Sequence, residues 1–280
     1  MRTVIQVEGS ELARPILRAH LYQALDRPSR LEVEVLTGRS GGLPGSLPAP
    51  VGSRVTLASG GETCFCGVVE RCGRRVDADE GPVSWLVAYS DYHRHRLELR
   101  RRGSALGPWY QATDSETAER IASALQLVAS VDPTTRVHPV VEPRGDPLRF
   151  LRERARECGY ELAVWDGRLH FVRSLSSPEA ACVPSSEDVL GFEVEERRSG
   201  SSTIRGGRLE HAGDWRLRPL LSLDLERLDG GSGGRYRSVR TLHALDRSRF
   251  RTVVELVAEG FDYSLWQEQD VESEIVDLKE

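Results

Sequence analysis

Asparagine is absent from this 280-residue chain, and of its 38 basic residues all but Lys279 are arginine. Without asparagine there is no N-glycosylation acceptor. The arginine excess reads as codon bias of a GC-rich genome, not as chemistry. Long apolar runs are also missing, and nothing approaches the ~20 residues a membrane-crossing helix needs. The opening stretch, MRTVIQVEGSELARP, contains no apolar secretory core, so no Sec signal peptide is expected. The formal charge of −5 has the wrong sign for a general nucleic-acid binder. Five cysteines (Cys64, Cys66, Cys72, Cys158 and Cys182) are an odd number in a chain long enough to bury a core. Reduced thiols in a cytosolically made protein are expected, not a disulfide framework.

What is present describes a globular, turn-rich molecule. Hydrophobic residues make up 39% and charged residues 29%, which excludes wholesale disorder. The 26 glycines and 14 prolines favour a β protein over a helical bundle. In the first third Leu31, Val33 and Val35 alternate with Glu32 and Glu34, the period of a half-buried strand. A Gly/Pro loop spans 38–52. Residues 54–57 and 63–69 then read as two strands joined by Ser59-Gly-Gly-Glu62, and 83–89 as a central strand apolar on both faces. Short strands with Gly-rich turns at this spacing suggest a small barrel.

The middle changes period. Thr113-Asp-Ser-Glu116 is a capping box, after which Ala118, Ile121, Ala122, Leu125 and Val128 share one helical face. A second helix begins with Asp146 as N-cap and Pro147 in the first turn, runs along Leu148, Leu151, Ala155 and Cys158, and ends at Gly159. Asp166-Gly167 between two β-type runs is a hairpin signal that pairs Val164 with Leu169 and Leu162 with Phe171. The last third returns to β, with strands expected at 190–195, 203–210, 220–225, 238–245 and 251–258. Residues 229–235 form a Gly-rich loop tip. From Glu255 to Glu280 carboxylates dominate, with Leu265 and Trp266 embedded as a short apolar anchor.

Chemistry-bearing patterns are weak. His93-Arg-His95 would place two imidazoles on one side of a strand, but no third ligand accompanies them, so no metal is expected. Cys64-x-Cys66 has the wrong spacing for a zinc knuckle and reads as two small buried hydrophobes. No G-x-S-x-G, H-E-x-x-H, P-loop or G-x-G-x-x-G is present, and no catalytic residue or cofactor is assigned. Arg94, Arg96, Arg100, Arg101 and Arg102 form a local basic patch, read as a solvated rim or a partner interface.

The order of these segments resembles a known family. Phe150-Leu151, Ala155, Gly159, Val164, Asp166-Gly167 and Leu169 match the F-L-x-x-x-A-x-x-x-G-x-x-x-x-V-x-D-G-x-L signature of contractile-tail baseplate hub proteins, the family of phage late control protein D and the N-terminal part of VgrG spikes. Upstream, Gly52, Val55 and Leu57 with Phe65, Gly67 and Val69 are similar to its G-x-x-V-x-L and F-x-G-x-V barrel strands. Downstream, an aliphatic strand ending in His243, then Phe250 and Thr252, is more loosely similar. Departures are Pro147 where the family has an acidic residue, with Asp146 one position earlier, and the lack of the β-barrel and needle that continue VgrG spikes.

The resemblance implies a mainly β (α+β) fold with two tube-protein-like β-barrels, at 1–110 and 179–260. A small α/β insertion lies at 111–178 and an acidic tail at 261–280. It implies a non-enzymatic hub, assembled in the bacterial cytoplasm for a phage tail or a released phage-like particle. As a homotrimer the hub would join a sixfold inner tube to a separate threefold spike, alongside other baseplate proteins and without nucleic acid or membrane insertion. Leu265 and Trp266, with the arginine patch, are the expected partner interface. Two other classes remain open: a cell-wall hydrolase using two carboxylates, and a carbohydrate- or peptide-binding module with Trp109, Trp165 or Trp215 as its platform.

Overall fold

The computed structural model describes residues 3–12, 15–36, 49–102, 106–175, 182–199, 202–226, 228, 234–247 and 249–260. The expected tail, with Leu265 and Trp266, and most of the 38–52 loop lie outside them. The first third contains β1 (Thr3–Val7), β2 (Ser10–Glu11), β3 (Ile16–Ala24), β4 (Arg30–Leu36), β5 (Arg54–Ser59), β6 (Glu62–Asp77) and β7 (Gly81–Tyr89). The middle holds α1 (Tyr92–Arg102), β8 (Trp109–Thr113), α2 (Asp114–Ala124), β9 (Val128–Val131), β10 (Val137–Val141), α3 (Pro147–Cys158), β11 (Glu161–Trp165) and β12 (Arg168–Val172). The last third contains β13 (Val189–Ser199), β14 (Ser202–His211), β15 (Ser222–Asp224), β16 (Arg235–Asp246) and β17 (Arg249–Ala258). The fold is therefore mainly β with a small α/β insert.

All strands of the first and last thirds join one antiparallel sheet, ordered β13-β14-β17-β16-β3-β4-β7-β6-β5-β1-β2, with β15 on the edge of β16. Inside that order a unit occurs twice. β3, β4, β5, β6 and β7 are arranged β3-β4-β7-β6 with β5 against β6. β13 to β17 are arranged β13-β14-β17-β16 with β15 against β16. Even the irregularities coincide. The first pair of strands slips register between Ile16 and Arg18 in one unit and between Val189 and Gly191 in the other. The last pair slips between Val69 and Arg71, and between Ser238 and Arg240. β16 and β3 join the two units, pairing from Arg240↔Ala24 to Asp246↔Arg18.

Each unit curls around its own core. In the first, Ile5, Leu21, Leu31, Leu57, Phe65 and Leu86 from six strands meet in one cluster. Gly67 makes this packing possible, because a Cβ there would lie 2.2 Å from the Tyr89 carbonyl oxygen and 2.6 Å from the Phe65 ring. The F-x-G pattern thus encodes a close strand approach under an inward aromatic. In the second unit Leu209, Leu223, Tyr236, Val254 and Leu256 form the core.

The seam is closed by residues of the last third. Trp215 is 4% exposed, packs into the core of the first unit and meets His243 and Phe250 in tilted ring contacts at 4.9 and 4.6 Å. His243 Nδ1 and Thr252 Oγ1 lie 2.9 Å apart, and the Thr252 hydroxyl accepts the Asp214 amide at 2.9 Å. The three residues of the downstream motif thus fix the loop that carries Trp215. Burial pushes the His243 imidazole down to about 3.

The insert has its own core of Ile121, Leu125, Leu148, Leu151, Leu162, Leu169 and Phe171. Tyr92, Leu99, Leu106 and Trp109, which the sequence groups with the first barrel, pack into it. α2 forms the capping box in full, Thr113 accepting from the Glu116 amide and Glu116 from the Thr113 amide. The helix ends at Leu125, and Gln126 takes a left-handed φ of 57°. Val128 consequently opens β9, 56% exposed, and does not continue the helical stripe. α3 matches its expected signals, from Asp146 as N-cap to Gly159 at φ 68°. Asp166 and Gly167, both at positive φ, make the β11–β12 turn, with Val164↔Leu169 and Leu162↔Phe171 in the expected register. A buried ion pair ties the insert to the sheet: Arg237 Nη2 lies 2.9 Å from Glu161 Oε1, and Glu161 also accepts the Leu175 amide.

Two measurements follow. Phe171 is fully buried, so Phe171→Ala should lower unfolding stability by ~3–5 kcal/mol in denaturant titrations; a loss below about 1 kcal/mol contradicts this packing. The second concerns His243, whose unfolded-state value lies near 6.5 and folded value near 3. Between them the unfolded chain holds the extra proton, so stability present above pH 6.5 is lost as pH falls, by about 1.4 kcal/mol per unit. His243→Gln should flatten the stability–pH curve between 6.5 and about 4.5, above the carboxylate range. An unchanged slope contradicts the assignment.

Candidate functional site

The arginine patch is rearranged by its secondary structure. His93 and Arg94 to Arg102 lie on α1, not on a strand; arginine and leucine are good helix formers and β7 has already ended at Tyr89. On a helix, positions two apart diverge, so His93 and His95 do not share a side. The His93 ring stacks on Tyr89 at 4.2 Å, and burial lowers its pKa. Among the described residues no three of His, Cys, Asp and Glu converge as metal ligands.

Arg96 turns inward, its Nε donating to Asp146 Oδ2 at 2.8 Å, and Arg100 approaches the same carboxylate at 3.9 Å. Asp146 Oδ1 meanwhile caps α3 through the Leu148 and Arg149 amides. Burial pushes the Asp146 carboxyl up, but Arg96 and these amides outweigh it and hold it below the usual carboxylate range. Arg94 is outward, 3.5 Å from Glu98, and Arg101 lines a shallow recess with Val51, Val69 and Glu70. The backbone of Arg102 ends the helix; its side chain lies outside the described residues. The structure therefore divides four of these arginines between an internal brace, Arg96 and Arg100, and a charged outer face, Arg94 and Arg101.

A second cluster was not legible as a unit in the sequence. Asp114, 1% exposed at the start of α2, accepts from Arg154 Nε at 2.6 Å, from His138 Nε2 at 3.0 Å and from the Cys158 thiol at 3.2 Å. Cys, His and Asp together suggest nucleophilic chemistry, but a working arrangement places the imidazole beside the thiol and the carboxylate behind it. Here the thiol donates directly to the carboxylate. Burial and Asp114 push the Cys158 thiol up to about 11, the opposite of activation. The Asp114 carboxyl is raised by burial and pulled further down by His138, Cys158 and Arg154. The cluster braces α2, β10 and α3.

The five cysteines are not joined in disulfides. Cys64 and Cys66 are half-buried, flanking the inward Phe65, and not fully buried as expected. Trp215 is interior, Trp109 lies beneath Arg120 at 5.4 Å and Trp165 packs half-buried on the core, so these three do not form an exposed platform.

A cleft of about 440 Å³ lies beside the β3–β16 seam, lined by Tyr22, Arg30, Glu193, Glu195, Arg240 and Glu255 among others. Several of its charges are matched internally: Arg240 with Glu255 at 3.2 Å, Arg30 with Glu32, and Arg197 with Glu195 at 2.8 Å. Two stretches of strand edge offer backbone, one on β13 at the end of the sheet and one on the second half of β6. Among the described residues β13 pairs only with β14, and residues 71–77 of β6 pair only with β7.

No family model matches the chain, and no curated protein matches it in sequence. Solved structures do match in fold. The 43 kDa tail protein of prophage MuSo2 from Shewanella oneidensis superposes with a TM-score of 0.67 at 12% identity, covering 91% of this chain and 96% of that one. A tail protein from Neisseria meningitidis MC58 gives 0.66 at 10% identity, over 92% and 96%. The E. coli c3393 protein gives 0.62 at 13% identity, over 91% and 77%. It is a type VI secretion component with structural similarity to T4 bacteriophage tail proteins gp27 and gp5. The chain has the fold shared by these phage tail proteins and this secretion-system component.

Proposed function

We propose that this chain is a structural baseplate hub, which as a homotrimer adapts a sixfold inner tube to a threefold spike in a contractile injection particle. The observation that carries the reading is the repeated five-strand unit. One chain holds two like units side by side in a single sheet, so three chains offer six. A ring of six like units can meet a sixfold tube while its true symmetry remains threefold. The fold likeness to tail proteins of two prophage or bacterial sources and to a type VI component supports the same reading. The two units take the barrel roles, near 1–110 and 179–260, with 111–178 inserted between them.

The role is one of geometry and contact area, with the Asp114 cluster and the Asp146 brace serving stiffness. Arg94 and Arg101 on the outer face of α1 are candidate contacts to other baseplate proteins, and Leu265 and Trp266 are candidate contacts to a separate spike. Assembly would take place in the bacterial cytoplasm, for a phage tail or a released phage-like particle.

Native mass measurement and reconstruction of the particle test the stoichiometry. The expected result is three copies in a threefold ring whose two units alternate. A ring of six copies of this chain contradicts the proposal.

A further inference from the structure

The repeat also indicates how neighbouring copies would meet. The edge of β6 is used in two halves. Glu62 to Val68 pair with β5, and beyond the register slip residues 71–77 have no strand on that side among the described residues. β16 is built the same way, but both halves are occupied. Arg235 to Arg237 pair with β15, and beyond its slip residues 240–246 pair with β3 of the other unit. The first strand of the second unit, β13, is the counterpart of β3 and has its outer edge open among the described residues.

The slips fix the equivalence residue by residue. Counted from them, Arg71 and Asp77 stand for Arg240 and Asp246, while Gly191 and Arg197 stand for Arg18 and Ala24. We propose that in the trimer, whose existence this inference takes from the reading above, residues 71–77 of one copy pair antiparallel with residues 191–197 of the next. The register runs from Arg71↔Arg197 to Asp77↔Gly191. The contact repeats between chains the junction that β16 and β3 make within one chain, a strand-addition mode in which backbone hydrogen bonds provide the contact and side chains the register.

The side chains agree with that register. Val76 is 84% exposed, and its counterpart Leu245 packs onto the core of the neighbouring unit. In the proposed pairing Val76 lies opposite Phe192, close to Leu190, which is 56% exposed. The β6 edge carries Arg71, Arg74 and Arg75, and the β13 edge carries Glu193, Glu195 and Glu196. Arg75, which meets Glu34 at 2.9 Å within its own chain, falls opposite Glu193. Arg74 is diagonal to Glu196 and Arg71 to Glu195, within reach across a strand pair. Arg71 opposite Arg197 is the one like-charge pair, and Arg197 already lies 2.8 Å from Glu195.

The test uses a native thiol. Cys72 falls opposite Glu196, at a separation suited to a disulfide. In the full chain, Glu196→Cys should give covalent multimers on mild oxidation, seen on non-reducing gels, and adding Cys72→Ala should abolish them. Glu195→Cys, whose side chain faces the other side of the sheet, should give none. An oligomer of threefold mass that forms without a Cys72-dependent cross-link overturns the register and leaves the trimer standing. A chain that stays monomeric at every concentration and in the particle, with no cross-link, overturns both.

Discussion

Seven backbone pairs between β3 and β16 hold the molecule's two halves in one sheet, and most other features serve that junction. An unpaired strand edge presents N–H and C=O groups that must find partners or water. β16 resolves its edge by changing partner at a register slip, from β15 to β3. Trp215 packs from the second unit into the core of the first, held by His243, Phe250 and Thr252. The seam is thus made of backbone and lined by aromatics.

The α/β insert is joined to this frame through few but buried contacts. Glu161 and Arg237 are each largely removed from water and face each other across the boundary. A buried ion pair is weak evidence for stability, since desolvation offsets most of its attraction, but removing one partner leaves the other charge stranded. Here the pair joins the hairpin to β16 across the boundary. Asp146 does the same for the helices, capping α3 and receiving Arg96 from α1 with one carboxylate. These charges face inward and brace neighbouring elements.

How much was legible in the sequence follows from where the information resides. α3 and the β11–β12 hairpin were readable because caps, turn residues and alternation are local, and Asp146, Gly159, Asp166 and Gly167 sit where backbone geometry requires them. α1 was not, because Tyr92 to Arg102 is dominated by arginine and its apolar positions are too sparse for a stripe. β3 escaped because its inward face includes small Ala19 and polar Gln23, which blunts the alternation. The helical period runs on to Val128 in the sequence, but the left-handed Gln126, which local pattern does not reveal, ends the helix before it. The repeat was invisible for a different reason. Residues 71–77, RCGRRVD, and 240–246, RTLHALD, share little beyond an arginine and an aspartate at their ends. What repeats is strand order and the position of the slips, and neither is written in residue type.

The central claim is that the open edges of this sheet are completed by further copies of the same chain. Amide hydrogen exchange on the free chain and on the assembled ring tests it most directly, since a backbone N–H that gains a strand partner becomes protected. Slower exchange in the ring is predicted for alternate amides of residues 71–77 and 191–197, with the seam amides of 240–246 slow in both states. Unchanged exchange along both edges, with protection appearing elsewhere on the surface, would contradict the account.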